Sequence, residues 1–230
     1  MEMTLQRIKW YRLKTKFSLN ELTDLLNSNA YSDVRTLGFV NIEKDFDTIT
    51  AVFTEFNKKV IELEDPFGNL VTNEIKDFNY IDFSLRLIED DLYVLSFIEA
   101  PKSIKSFINY LSSILEFHLT ISQLEIDILK FIEMFKVHHS VNKIDTNKIR
   151  LTGVIVNENS KASIELISKT NALDDIDSLI NNRNYRLEKI RSVCFVSDEK
   201  IKFELSRSGS LSVDEHSRRL FDDILKLYLS

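Results

Sequence analysis

The chain has 230 residues, with 30 Lys+Arg against 36 Asp+Glu and a formal net charge of −6. Hydrophobic residues make up 43% and charged residues 29%, which excludes a disordered chain, and four Gly and two Pro exclude collagen-like or linker-like sequence. No uninterrupted apolar run reaches the roughly 20 residues of a membrane span, and the single Cys excludes an intramolecular disulfide and a Cys-built zinc cage.

The N-terminal MEMTLQRIKWYRLKTKF is basic but has no apolar core of a signal peptide, so a reducing, cytoplasmic setting and a soluble protein are expected. Ile, Asn, Lys and Phe are abundant and Ala, Gly and Pro scarce, the bias of an AT-rich bacterial or phage gene. Residues 1–139 hold 15 Lys+Arg against 22 Asp+Glu, net −7, and residues 140–230 hold 15 against 14, net +1. The polar stretch His138-His139-Ser140-Val141-Asn142-Lys143 therefore marks an expected boundary between subdomains 1–139 and 140–230, with no Gly/Ser linker to hold them apart.

Leu5 to Thr15 is rich in aromatic and aliphatic residues and predicts a strand. Ser18 and Glu21 have the spacing of a capping box, and Leu19, Leu22, Leu25 and Leu26 continue as a helical stripe. Residues 37–42, 48–53 and 59–63 predict strands, and Asp65-Pro66-Phe67-Gly68-Asn69 a turn. Alternation through Ile81, Phe83, Leu85 and Leu87 predicts a strand over 77–88, and Glu89-Asp90-Asp91 turns it back into 92–98, giving an antiparallel meander.

Pro101 opens an expected helix through Ile104, Phe107, Ile108, Leu111, Ile114 and Leu115. A second stripe, Ile121, Leu124, Ile128, Phe131 and Phe135, is out of phase with it, which predicts a break, with room for a short strand, near residues 117–120. Further on, 149–156 and 162–168 predict a hairpin around Asn157-Glu158-Asn159, and 172–181 a short helix led by Asp174, Asp175 and Asp177. Residues 185–196 and 201–205 predict strands around Ser197-Asp198-Glu199. The turn Ser206-Arg207-Ser208-Gly209 leads to 211–213, and a last helix from Asp214 buries Leu220, Ile224, Leu227 and Phe221.

Few residues carry recognisable chemistry. Cys194, between Val193 and Phe195, reads as a buried small side chain. His118, His138, His139 and His216 include no i, i+4 pair of the kind that places two metal ligands on one helical face. Gly38, Gly68, Gly153 and Gly209 are isolated, so no phosphate-binding loop is encoded, and Ser206–Ser210 reads as a hairpin rather than an anion nest. Asp198 and Lys200 have a spacing used by metal-dependent nucleases, but in an apparent turn, where both are solvated.

The N-terminal strand is the exception. Arg7, Lys9, Arg12, Lys14 and Lys16 are interleaved with Trp10, Tyr11 and Phe17, and cations among aromatic platforms suit single-stranded nucleic acid. The same pattern also describes a strand with one solvated basic face and one buried apolar face.

The expected fold is α+β, with antiparallel sheets and segregated helices in two packed subdomains. The expected function is that of a non-catalytic intracellular protein-interaction subunit of a larger bacterial or phage assembly, with phage defence as a context. No catalytic residue, cofactor or metal site is expected; a protein partner or homo-oligomer is, and a membrane is not. The alternative is a nucleic-acid binder using Arg7, Lys9, Trp10, Arg12 and Lys14, with or without metal-dependent nuclease activity.

Overall fold

The computed structural model describes residues 5–32, 34–64, 66–180 and 184–230. It is α+β, with predominantly antiparallel strands and interspersed helices, in two compact units: Leu13–Ile121, and the described residues up to Arg12 together with Ser122–Ser230. The stretch from His138 to Lys143 lies within the latter. Among the described residues no helix is long and apolar enough to cross a membrane.

In Leu13–Ile121, α1 (Leu19–Ser28) begins on the predicted capping box: Ser18 Oγ accepts from Glu21 N at 3.3 Å, and the Glu21 carboxylate accepts from Ser18 N at 2.7 Å. The meander follows as β2 (Leu37–Lys44), β3 (Thr48–Glu64), β4 (Leu70–Glu89) and β5 (Leu92–Ile98), ordered β2-β3-β4-β5. The strands expected at 48–53 and 59–63 are one continuous strand, because Thr48 to Glu64 pairs residue by residue with β4. Pro66–Asn69 turns as expected, with Gly68 at φ +84°, while Asp65 lies outside the described residues.

Helix α2 (Lys105–Ile114) starts later than Pro101 suggests; Ser103 Oγ accepts from Lys105 N at its first turn. Its Phe107 ring sits edge-on to Phe53, Phe83 and Phe97 at 5.6, 4.8 and 5.1 Å, closing one face of the meander. The predicted break after α2 contains the short strand β6 (Leu119–Gln123).

The other unit contains α3 (Ile128–His138), capped by Asp127, whose carboxylate accepts from Leu129 N and Lys130 N at 3.1 and 3.2 Å. Ile121 and Leu124, expected on this helix, precede it: Ile121 belongs to β6 and Leu124 to the connection. Then come β7 (Ile144–Asn157), β8 (Ser160–Ile167), α4 (Ile176–Ile180), β9 (Arg186–Val196), β10 (Glu199–Ser206), β11 (Ser210–Val213) and α5 (Arg218–Leu229). Together with β1 (Gln6–Thr15) they form a sheet ordered β1-β11-β10-β9-β7-β8.

Two helices here depart from expectation. α4 is shorter than 172–181: Ala172 N is tied to Thr146 O at 2.6 Å and the Asp175 carboxylate accepts from Ser168 Oγ at 2.7 Å, which holds these residues in turns. Its expected end, Asn181, lies outside the described residues. α5 starts at Arg218 because Asp214 closes a turn, its carboxylate accepting from Ser217 N at 2.9 Å. Packing of Phe221 against Phe135 and Phe203 turns the helix so that Phe221, Ile224 and Leu225 are buried, Leu220 is half-buried and Leu227 is exposed.

The inner face of this sheet is closed by α3 and α5. Phe135 lies 4.7 Å from Phe221 and 6.3 Å from Phe203 of β10, and Phe131 lies 6.4 Å from Trp10 of β1. Phe107→Ala should destabilise the protein by about 3–5 kcal/mol, since it removes the ring that three others surround; urea melts monitored by near-ultraviolet dichroism measure this, and Phe107→Leu should cost less.

Candidate functional site

The groups with intrinsic reactivity are dispersed. Cys194 is buried on the inner face of β9, opposite Ile201 and Ile144, and burial pushes its thiol up to about 11. His139 Nε2 contacts Leu220 O at 3.1 Å while its ring packs on Phe135. Asp198 sits with Ser197 in a two-residue hairpin turn, both at positive φ as such a turn requires, and its carboxylate faces solvent, as does Lys200. Among the described residues no group of three or more His, Cys, Asp or Glu side chains converges.

The N-terminal residues singled out above separate. Trp10 is 0% exposed, with Nε1 lacking a hydrogen-bond partner among the described residues; its ring is a core element and presents no face to solvent. Lys9 is half-buried, donating from Nζ to Ser208 O at 2.5 Å above the Tyr11 ring, and burial lowers its pKa. Arg7, Arg12 and Lys14 are exposed. Arg7, Lys9 and Arg12 belong to the same unit as Ser122–Ser230, and Lys14 to the other.

Cross-strand register carries Arg7 and Lys9 into a larger cationic surface. Because inner positions such as Ile8, Phe203 and Ile190 are buried, their neighbours all face outward. One outer rung runs Arg7, Ser212, Glu204, Arg191, Lys148 and Ile167. The next runs Lys9, Ser210, Ser206, Lys189, Arg150 and Glu165. Beyond them Lys202 stands opposite Val193, and Lys200 opposite Phe195, which is 58% exposed.

Glu204 is the electrostatic centre of this face. It pairs with both Lys189 and Arg191; burial pushes its carboxyl up, but those two partners outweigh burial and hold it below the usual carboxylate range. Lys148 pairs with Glu165 at 2.7 Å, whereas Arg150, Lys200 and Lys202 make no ion pair with the described residues. Between the cations of β1 and those of β9, the floor consists of Ser206, Ser210 and Ser212 with the Glu204 carboxylate beside them. Ser206 Oγ meets Ser208 Oγ at 3.1 Å and accepts from Ser210 N at 3.1 Å. The hairpin there closes through Gly209 at φ +71°, where an added Cβ would lie 2.9 Å from Leu124 O.

A second exposed surface lies on the meander. Past Glu55, β3 is no longer paired with β2, and β5 joins β4 only at Asp82, so eight pairs from Asn57↔Asp77 to Glu64↔Leu70 form a two-stranded ribbon roughly 25 Å long. Phe56, Phe78 and Tyr80 form an aromatic ladder on one face at its base, with centroids 5.4 and 6.3 Å apart and Tyr80 60% exposed. Ile61, Leu63 and Ile75 are exposed on the other face. Neither surface was named from the sequence: the ribbon and the rungs both depend on cross-strand register.

Compared with protein-family models and with curated proteins, the sequence matches none.

Cys194 should label with a thiol reagent only after unfolding, at neutral pH and in native buffer; rapid stoichiometric labelling of the folded protein would contradict its burial. Glu204, with its folded pKa lowered, adds stability that is present above its unfolded pKa and is lost as pH falls through the folded value. Glu204→Gln should therefore be less stable than wild type at pH 7, and the difference should shrink as pH falls below the usual carboxylate pKa of about 4.3 and vanish only below the lowered folded value, as read from denaturant melts across that range.

Proposed function

We propose that this chain is a non-catalytic, intracellular protein-interaction subunit, and that the β3–β4 ribbon docks it onto a second copy of itself. What supports the reading is the ribbon's exposure. An isolated two-stranded ribbon is marginally stable in water, yet this one keeps both faces in solvent and presents Val60, Leu63, Leu70 and, at its tip, the 89% exposed Phe67.

The charge order along the ribbon favours a second copy over an unrelated partner. On the face of Val60 and Leu70, Lys58 and Lys76 lie toward the base, Lys58 paired with Glu74, and Glu62 and Glu64 lie toward the tip; on the other face Lys59 is paired with Asp77. Two ribbons packed antiparallel about a two-fold axis through the Val60 and Leu70 face bring the Lys58 and Lys76 end of each against the other's acidic tip, with Val60 and Leu70 between them, the self-complementary pattern of an isologous interface. A parallel arrangement would oppose like charges.

Sedimentation velocity at tens of micromolar protein should find a dimer for wild type and a monomer for Val60→Ser combined with Leu70→Ser. Reversing Lys58 and Lys76 to Glu should weaken dimerisation at least tenfold, and reversing Glu62 and Glu64 to Lys in the same chain should restore it, because the order is then inverted but still complementary. A monomeric wild type, or a dimer indifferent to all of these changes, would overturn the proposal.

A further inference from the structure

We infer that the outer face of the sheet β1-β11-β10-β9-β7-β8 binds the phosphate backbone of single-stranded nucleic acid, with the serine floor of β10 and β11 as its track.

The charge is local. By sequence, residues 1–12 and 122–230 carry 20 Lys+Arg against 18 Asp+Glu, whereas residues 13–121 carry 10 against 18. The two outer rungs and their extension concentrate that excess on one face. A field set by neighbouring side chains outweighs a distant net charge of −6, because screening at about 0.15 M salt has a length of about 8 Å.

The chemistry of the face is graded for a polyanion. Ser206, Ser210 and Ser212 are small and leave a low centre beside Glu204, whose single charge is outnumbered by Arg7 and Lys9 on one side and by its partners Lys189 and Arg191 on the other. Hydroxyl and guanidinium donors together are the usual partners of phosphate oxygens. Arg150, Lys200 and Lys202 are exposed and make no ion pair with the described residues, so they can engage phosphates without first breaking one. Lys148, Arg150, Lys189 and Arg191, with the paired carboxylates of Glu165 and Glu204, surround a depression of about 130 Å³ in the same face. Phe195, opposite Lys200, offers a solvent-facing ring on which a base can stack.

The geometry selects a single strand. From β1 to β7 the face spans four inter-strand spacings, roughly 19 Å, too broad to enter a duplex major groove of about 12 Å. An extended strand can lie across the rungs, with its backbone over the serines and its bases free to turn toward Phe195.

The test is fluorescence anisotropy with the full chain and a labelled oligothymidylate, across a salt series. Wild type should bind, and log K should fall linearly with log salt by about 0.7 per phosphate contacted. Arg150→Glu combined with Lys202→Glu should lose at least tenfold in affinity and flatten the salt slope. Lys136→Glu combined with Arg219→Glu makes the same change in net charge on the helices α3 and α5 and should lose less than twofold. Phe195→Ala should weaken binding severalfold without altering the slope. Thermal melts confirm that each variant is folded. The inference fails if wild type does not bind at low salt, if both double variants lose affinity equally, or if duplex DNA or anionic phosphatidylserine vesicles bind more tightly than the single strand. Dimer formation, read by sedimentation, should be unchanged in the Arg150/Lys202 variant, so the outcome stands apart from that of the ribbon.

Discussion

The contact of Phe203 with Phe135 and Phe221 settles which way the sheet of β1 and β7–β11 faces. A strand has a side-chain period of two, so once Phe203 is committed to the helices, Lys202 and Glu204 must lie on the opposite side. Pairing extends that choice across the sheet. Ile190 and Ile149 follow Leu205 inward, while Lys189, Arg191 and Arg150 are carried outward. A one-residue slip in any of these strands would put lysines against Phe135 and phenylalanines into water. The cationic outer face and the aromatic core are therefore two consequences of one register.

The meander follows the same rule up to a point and then departs from it. Phe53, Phe83 and Phe97 are bound to Phe107, which anchors the lower parts of β3, β4 and β5. Past Asn57, β3 and β4 continue as partners of one another alone, in full hydrogen-bonded register. Backbone pairing keeps the ribbon formed, but no helix covers its apolar residues within the described chain. Apolar side chains held in water on a regular scaffold are the physical condition for association, which is why the ribbon carries the functional proposal.

Cationic side chains on the outer face are held apart by a shortage of acids rather than by distance. Glu204 alone satisfies both Lys189 and Arg191, and Glu165 satisfies Lys148. Arg150, Lys200 and Lys202 keep their charge available in water, at little cost, since exposed ions retain their hydration. The surface is thus stable without a ligand and still complementary to a polyanion.

Much of the local structure was legible from residue order: the Ser18–Glu21 capping box, the meander turns, the hairpin at Ser197-Asp198, the burial of Cys194 and the alternation of β1 each rest on spacing or on turn chemistry within a few residues. Helix starts were less so, because Asp127 and Asp214 delay α3 and α5 through local hydrogen bonds that the apolar stripes do not encode. The basic-aromatic strand showed its cations in the sequence, yet only packing could reveal that Trp10 is sealed against Phe131 while Arg7 and Lys9 remain outside. The partners of Arg7 and Lys9 on the outer face, from Lys148 to Lys202, are about 140 to 195 residues away in the chain. Local order determined which residues face outward on each strand; only strand pairing over that separation decided which outward faces share one surface, because register is a property of two strands and is written in neither alone.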